Sequence, residues 1–221
     1  MGVFRLPDGF IREIESLIAN FWWHSSDNRK IHWLSWNKLC TTKLHGGLGL
    51  RDLRAVNSAT LTKKFWRLLT QPESLVGQLL RSRYIPGLSI LDVKLGHRPS
   101  FTWHNIFSSK DIVLAGYRWH IGNELKANIW INPWILRTPY FKPHKSIGPL
   151  PPTTTVSHLI EPTTCDWNVN LIETIFDPVD CEVILAIPIN GASFNDELVW
   201  HYRKSGTFSI KTAYQLAFEL P

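Results

Sequence analysis

Eleven tryptophans in a chain of 221 residues constrain this protein more than any other feature. An indole covers a large apolar area and carries one N–H that needs a partner, so each must sit in a core, against another chain or under a base. The chain is long enough to bury a sizeable core as one or two domains. Its three cysteines, Cys40, Cys165 and Cys181, are too few and scattered for a disulfide framework or a zinc module, and they fit a reducing compartment. No apolar run approaches the roughly 20 residues that cross a bilayer, so no membrane partner is expected. The N-terminus MGVFRLPDGF lacks a signal-peptide pattern, and Leu6 stands where myristoylation needs Ser or Thr.

The net charge of +6 is unevenly spread. Residues 1–130 hold 18 Lys and Arg against 9 Asp and Glu, whereas residues 131–221 hold 6 against 9. An anionic partner would therefore meet the first half.

The first half reads as helices. Ile11, Ile14, Leu17, Ile18 and Phe21 follow Pro7 at helical spacing and predict a first helix that packs through its aromatic end Phe21-Trp22-Trp23, followed by the polar break His24 to Asn28. In Arg29–Leu53, Trp33 and Trp36 lie three apart, and Gly46, Gly47 and Gly49 form a cluster where the backbone takes positive φ or approaches another segment closely. Asp52 opens the strongest helical pattern, which runs to Thr70 and stops at Pro72. A further helix from Glu73 to Tyr84 is expected to turn Leu75, Val76, Leu79 and Leu80 inward, and Ser100 to cap a helix through Trp103, Ile106 and Phe107 towards Leu114.

Beyond Gly116 the pattern changes. Tyr117–Ile121 and Ala127–Ile131 alternate as strands do, with Gly122-Asn123 between them, which predicts a β-hairpin. Pro139, Pro143, Pro149, Pro151 and Pro152 mark residues 137–155 as a linker. Short helices follow over 156–160, 169–176 and 178–186. Residues 197–202 and 207–210 are expected to pair across Lys204-Ser205-Gly206, and a last helix covers 211–220. The expected fold is a mainly helical α+β protein: a basic helical region with its hairpin to residue 136, a linker over 137–155, and a small α/β piece over 156–221.

Two-metal catalysis needs clustered carboxylates; Asp177 with Asp180, and Asp196 with Glu197, read better as solvated helix starts. No His or Cys pair has zinc spacing with a matching second pair, and Gly46-Gly47-Leu48-Gly49 lacks the lysine and strand of a phosphate loop. No cofactor is called for. What remains is cations interleaved with aromatics: Arg29, Lys30, Lys38, Lys43 and Arg51 around Trp33 and Trp36; Lys63, Lys64 and Arg67 beside Phe65 and Trp66; and Arg81 and Arg83 at a helix end. Charge neutralisation with base stacking holds nucleic acid without sequence readout. A helical layer with Trp inside and Lys outside accounts for the same pattern.

The segments KIHWLSWNKLC, GGLGLRDL, AVNSATLTKKFWRLLTQPESL, RSRYIP, LGHRPSFTWHNI, GYRWHIGN, IWINPW and GTFSIKTAYQL, in that order, resemble the reverse-transcriptase-like polyproteins of plant LINE-type (non-LTR) retrotransposons. Short derived reading frames, some in plant mitochondrial genomes, carry the same block. The resemblance covers nearly the whole chain. It implies a thumb and connector region after the polymerase palm, leading towards a zinc-binding segment and often an RNase H domain. The polymerase aspartates would lie upstream and the zinc ligands downstream. The resemblance thus implies a non-catalytic fragment with RNA, an RNA–DNA hybrid, or the missing polymerase and zinc-binding segments as partners. Its expected place is inside the cell, in nucleus or cytoplasm ahead of the mitochondrion. Leu44-His45, Asn123-Glu124 and His24 depart from the family pattern and point to relaxed constraint.

Overall fold

A computed structural model describes residues 2, 4–23, 33–87, 89–122, 127–137, 141–144, 150–189 and 195–220. In chain order the helices are α1 (Asp8–Trp22), α2 (Trp36–Cys40), α3 (Leu53–Thr70), α4 (Leu75–Tyr84), α5 (Phe101–Phe107), α6 (Lys110–Gly116), α7 (Val169–Ile175), α8 (Pro178–Leu185) and α9 (Ile210–Glu219). The strands are β1 (Tyr117–His120) and β2 (Glu197–Trp200). The fold is mainly helical α+β. The chain forms two compact units, residues 1–113 with 209–221, and residues 114–208.

The first unit is built on α3, which packs against α1, α4, α5 and α9. Asp52 caps it, its carboxylate accepting from the Ala55 amide at 2.7 Å. Ala55, Ala59, Leu61, Phe65, Trp66 and Leu68 are buried, so α3 has core on nearly every side. Two buried asparagines bind the chain ahead of α1. Asn57 accepts from the Leu6 amide and donates to the Phe4 carbonyl, and Asn105 accepts from the Arg5 amide. An extended segment with no sheet partner thereby satisfies its backbone through side chains.

Two expected packing faces are buried only in part, Ile11 on α1 and Leu80 on α4 turning inward as expected. On α1 the buried line is Ile11, Glu15 and Ala19, spaced by four, while Leu17, Ile18 and Phe21 are exposed. On α4, Gly77 and Leu80 are buried, and Leu75, Val76 and Leu79 face solvent. A Cβ at Gly77 would stand 2.5 Å from the Pro72 carbonyl oxygen, so the turn that leads into α4 requires glycine there.

The glycine cluster does what its composition implies. Gly46 (φ 77°) ends a short 3-10 turn at Lys43–His45, and Gly49 (φ 71°) also takes the left-handed region. A Cβ at Gly47 would lie 2.1 Å from the Thr41 carbonyl oxygen. The loop folds back onto α2, where Leu48 and Leu50 both donate to the Leu39 carbonyl.

The second unit has an antiparallel pair and a core of Ile129, Trp134, Ile135, Val156, Leu159, Ile172 and Ile184. The expected hairpin is absent: β1 pairs with β2, Tyr117 opposite Trp200 and His120 opposite Glu197. Residues 127–129 bond instead to 154–156, through Ile129 N–H to Thr154 and Val156 N–H to Ala127. Alternation shows that a segment is extended and says nothing of its partner. Asn128 then ends the extension by accepting from the Trp130 and Ile131 amides. Among the described residues 197–202 and 207–210 form no strand pair either, since β2 ends at Trp200 in a turn and α9 starts at Ile210. Trp200 closes a tight turn onto the Gly206 carbonyl, and the chain runs on into α9.

The unit boundaries also fall elsewhere than expected. Phe141, in the proline-rich stretch, is fully buried and takes the amides of Trp134 and Ile135 on its carbonyl, and α9 belongs to the first unit. The break at His24–Asn28, Asn123-Glu124, Pro139 and Pro149 lie outside the described residues.

Candidate nucleic-acid interface

Arg29 and Lys30 lie outside the described residues. The remaining candidate cations all belong to the first unit, where they fall into three groups. Lys63, Lys64 and Arg67 form a row on α3. They and Thr70 are the exposed positions of a helix otherwise buried or half-buried along its length. Residues three and four apart are neighbours on a helix, so Arg67 stands beside both lysines. The core thus admits solvent to α3 where the charges stand. Arg67 donates through Nε to Gln71 at 2.9 Å, which steadies the guanidinium and leaves its terminal nitrogens outward.

Arg81 and Arg83 end α4, where cations also complement the helix dipole. Arg83 is exposed, its guanidinium 5.5 Å from the centre of the Tyr84 ring, and that ring stacks on Trp103 at 5.2 Å. Arg81 is half-buried.

Lys38, Lys43 and Arg51 belong to the glycine loop and its flanks. Lys38 donates to the His45 carbonyl at 2.8 Å, so this ammonium closes the loop. Lys43 and Arg51 are exposed. None of these eight cations has a carboxylate within 4.0 Å among the described residues; the recorded pairs use Arg54 with Asp8, Arg137 with Asp177 and Asp180, and His120 with Glu197. Of the two tryptophans in this stretch, Trp33 is 74% exposed and Trp36 is half-buried.

Beside the glycine loop lies a cleft of about 650 Å³, walled by Cys40 to Thr42, Gly49 to Arg51 and the α9 residues Ile210, Lys211, Tyr214 and Phe218. The Tyr214 hydroxyl accepts from the Asp52 amide at 3.1 Å, tying α9 to the start of α3. Burial, with the Asp52 and Glu15 carboxylates nearby, pushes the Cys40 thiol up to about 12, so this sulfur is not a nucleophile near neutral pH. The sequence hid this cleft, since α9 begins more than 150 residues after the loop it faces.

In the second unit His144, Asp177 and Asp180 offer ligand atoms within 4.8 Å of one another. The expected reading of the aspartates as solvated helix starts holds for Asp177, which caps α8 by accepting from the Asp180 amide at 2.8 Å. It fails for Asp180, which is fully buried and accepts from Arg137 and from the His144 amide. The guanidinium already occupies the position a cation would take, so these residues do not fit a metal. Arg137 sits in the proline-rich stretch and had no visible partner in the sequence.

No family model matches the chain, and no solved structure does. Two relatives from Arabidopsis thaliana match. The protein named "Putative ribonuclease H protein At1g65750" is 27% identical over 225 aligned positions, covering 98% of this chain and 36% of that protein. The chain therefore spans about a third of that longer relative. "Uncharacterized mitochondrial protein AtMg00310" is 39% identical over 138 residues, which is 62% of this chain and 90% of that protein. A match of that identity over nearly the whole of the relative is shared descent: the chain belongs to the same family as this Arabidopsis mitochondrial protein.

Proposed function

We propose that this chain is a retrotransposon-derived, reverse-transcriptase-like protein of LINE type, a thumb and connector region without catalysis of its own, whose first unit holds the backbone of RNA or an RNA–DNA hybrid. The observation that carries this reading is the surface of α3, where three of four exposed positions are unpaired cations. The division of charge supports it: the first unit holds 17 Lys and Arg against 9 Asp and Glu, and the second 7 against 9. A ribonuclease name on the longer relative fits a chain that meets RNA. The non-catalytic part is supported by the engagement of Asp177 and Asp180 with Arg137.

The test is a salt titration of a labelled blunt RNA–DNA duplex on the purified chain, compared with a variant carrying Lys63→Gln, Lys64→Gln and Arg67→Gln. If each cation neutralises one phosphate, the slope of log affinity against log salt falls by about 2 to 3, and affinity in moderate salt drops at least tenfold. Absence of binding at low salt, or a slope unchanged in the variant, defeats the reading.

A second reading, a module that packs against polymerase or zinc-binding segments, is favoured by one observation. Phe10, Leu17, Ile18 and Phe21 line one side of α1 and are all exposed. Under this reading the isolated chain self-associates at micromolar concentration, and Leu17→Glu with Phe21→Glu makes it monomeric without changing its helix content. Sedimentation of both forms decides, and a monomeric parent chain counts against it.

A further inference from the structure

The cleft between the glycine loop and α9 is not used by the α3 row, and its walls have a chemistry of their own. Ile210, Tyr214 and Phe218 recur every four residues, so α9 turns one apolar and aromatic line into the cleft. The Tyr214 and Phe218 rings lie 6.1 Å apart with planes inclined by 21°, which makes a broad aromatic wall. Phe218 remains 41% exposed, although phenylalanine has no polar atom that needs water.

The rim is polarised. Arg51 and Lys211, both exposed, stand near the start of α9, and among the described residues neither has a carboxylate within 4.0 Å. Glu219 lies eight residues further along α9, roughly 12 Å at the helical rise. An occupant with an anionic end, a flat apolar body and a donor at the far edge satisfies all three features. The opposite wall leaves room for a flat body: a Cβ at Gly49 would meet nothing within 4 Å.

Resting on the nucleic-acid reading above, we infer that this cleft takes one unpaired nucleotide, its base against Tyr214 and Phe218 and its phosphate against Arg51 and Lys211. Stacking on an aromatic wall is indifferent to base identity, so the site holds a frayed or single-stranded end without reading sequence. Glu219, by repelling phosphate, fixes which end of the nucleotide enters. The α3 row and the cleft then divide the work. The row meets duplex backbone, and the cleft meets the strand where pairing stops.

The experiment measures the full chain against two probes, a short single-stranded RNA and a blunt RNA–DNA duplex, with Phe218→Ala and Lys211→Gln as variants. Both residues are exposed, and thermal melts confirm that the variants fold. The expected result is about a tenfold loss of single-strand affinity in Phe218→Ala. In Lys211→Gln the single-strand salt slope falls by about 0.7. Duplex affinity stays within about twofold in both. Single-strand binding that ignores both variants overturns the cleft, as do equal losses on both probes or a parent chain that does not bind single strands at low salt. Failure here is separable from failure of the α3 reading. Duplex binding lost in the Lys63, Lys64 and Arg67 variant, with single-strand binding indifferent to Phe218, leaves the row standing and removes the cleft. An apolar carboxylate as the true occupant shows itself as displacement by a long-chain fatty acid without any response to RNA.

Discussion

The two units place their tryptophans differently. In the second unit Trp134 and Trp200 are fully buried, Trp119, Trp130 and Trp167 are half-buried, and none is exposed. Two indole N–H groups there find backbone carbonyls, Trp134 on Ile129 at 3.0 Å and Trp167 on Ile187 at 2.8 Å, while the buried N–H of Trp119 has no partner among the described residues. In the first unit Trp66 and Trp103 are core, but Trp22 and Trp33 are exposed, alongside Phe21, Phe101 and the α4 leucines Leu75 and Leu79. The second unit is thus closed by polar links made inside an apolar core, with a slightly acidic surface. The first is a helix hub that leaves apolar and cationic surface open. A surface of that kind is expected where a chain meets something else.

The comparison breaks most visibly at Arg137. It is the pairing cation for Asp180, a fully buried carboxylate that also holds the His144 amide. Arg137→Ala leaves that charge buried with one partner fewer, and a buried carboxylate without its cation destabilises the second unit more than either substitution considered below destabilises the first. Replacing both, Arg137→Met with Asp180→Leu, should recover most of the loss, because no unpaired charge then remains. Chemical denaturation of the two variants checks this. A single variant as stable as the parent would mean that polar closure does not hold the second unit together.

Asn57 gives the corresponding test in the first unit, with a smaller effect. Its amide serves both the Leu6 N–H and the Phe4 carbonyl, and Asn57 is only 2% exposed. Asn57→Ala strands two backbone groups of an extended segment and costs about 2 kcal/mol, since water reaches part of that segment. Amide exchange at Leu6 should quicken in step with the loss of stability. Exchange unchanged at Leu6 would show that the segment is held by the Phe4 and Phe101 ring contact at 5.4 Å instead.

How much of this was legible follows from how local each signal is. Both ends of α3 and the start of α8 were readable because Asp52, Pro72 and Pro178 act within one turn of themselves. The α3 row was readable for the same reason, since residues three and four apart are neighbours in any helix. The glycine loop was readable as a close approach, though not what it approached. The β1–β2 pair joins residues some 80 positions apart, and Asp180 meets Arg137 across 43; no period in the sequence encodes either partner. The exposed parts of α1 and α4 were misread because apolar spacing marks a face without saying whether the protein itself covers it. The cleft needed two segments that only the fold brings together.

The finest test uses the one ionisable carboxyl that the first unit buries among the described residues. Glu15 is 7% exposed on the inward line of α1, near the start of α3. Desolvation, then the Asp52 carboxylate, raises its carboxyl above the usual range, while Arg54, the Trp36 indole and the Leu53 amide oppose the shift. A carboxyl whose folded-state value lies above its unfolded value binds its proton more tightly when folded. Its contribution favours the native state at pH below the unfolded value of 4.5 and is lost as pH rises through the raised value. This runs opposite to a carboxylate stabilised by a salt bridge. Glu15→Gln keeps an acceptor for the Leu53 amide and removes the buried charge, so it should stabilise the chain at neutral pH by under about 1 kcal/mol and erase this part of the pH dependence. Melting curves of both forms between pH 4 and pH 8 measure it. If Glu15→Gln instead destabilises at pH 7 as much as at pH 4, the ionised carboxylate is an asset at the start of α3, and the first unit tolerates buried charge as well as the second does.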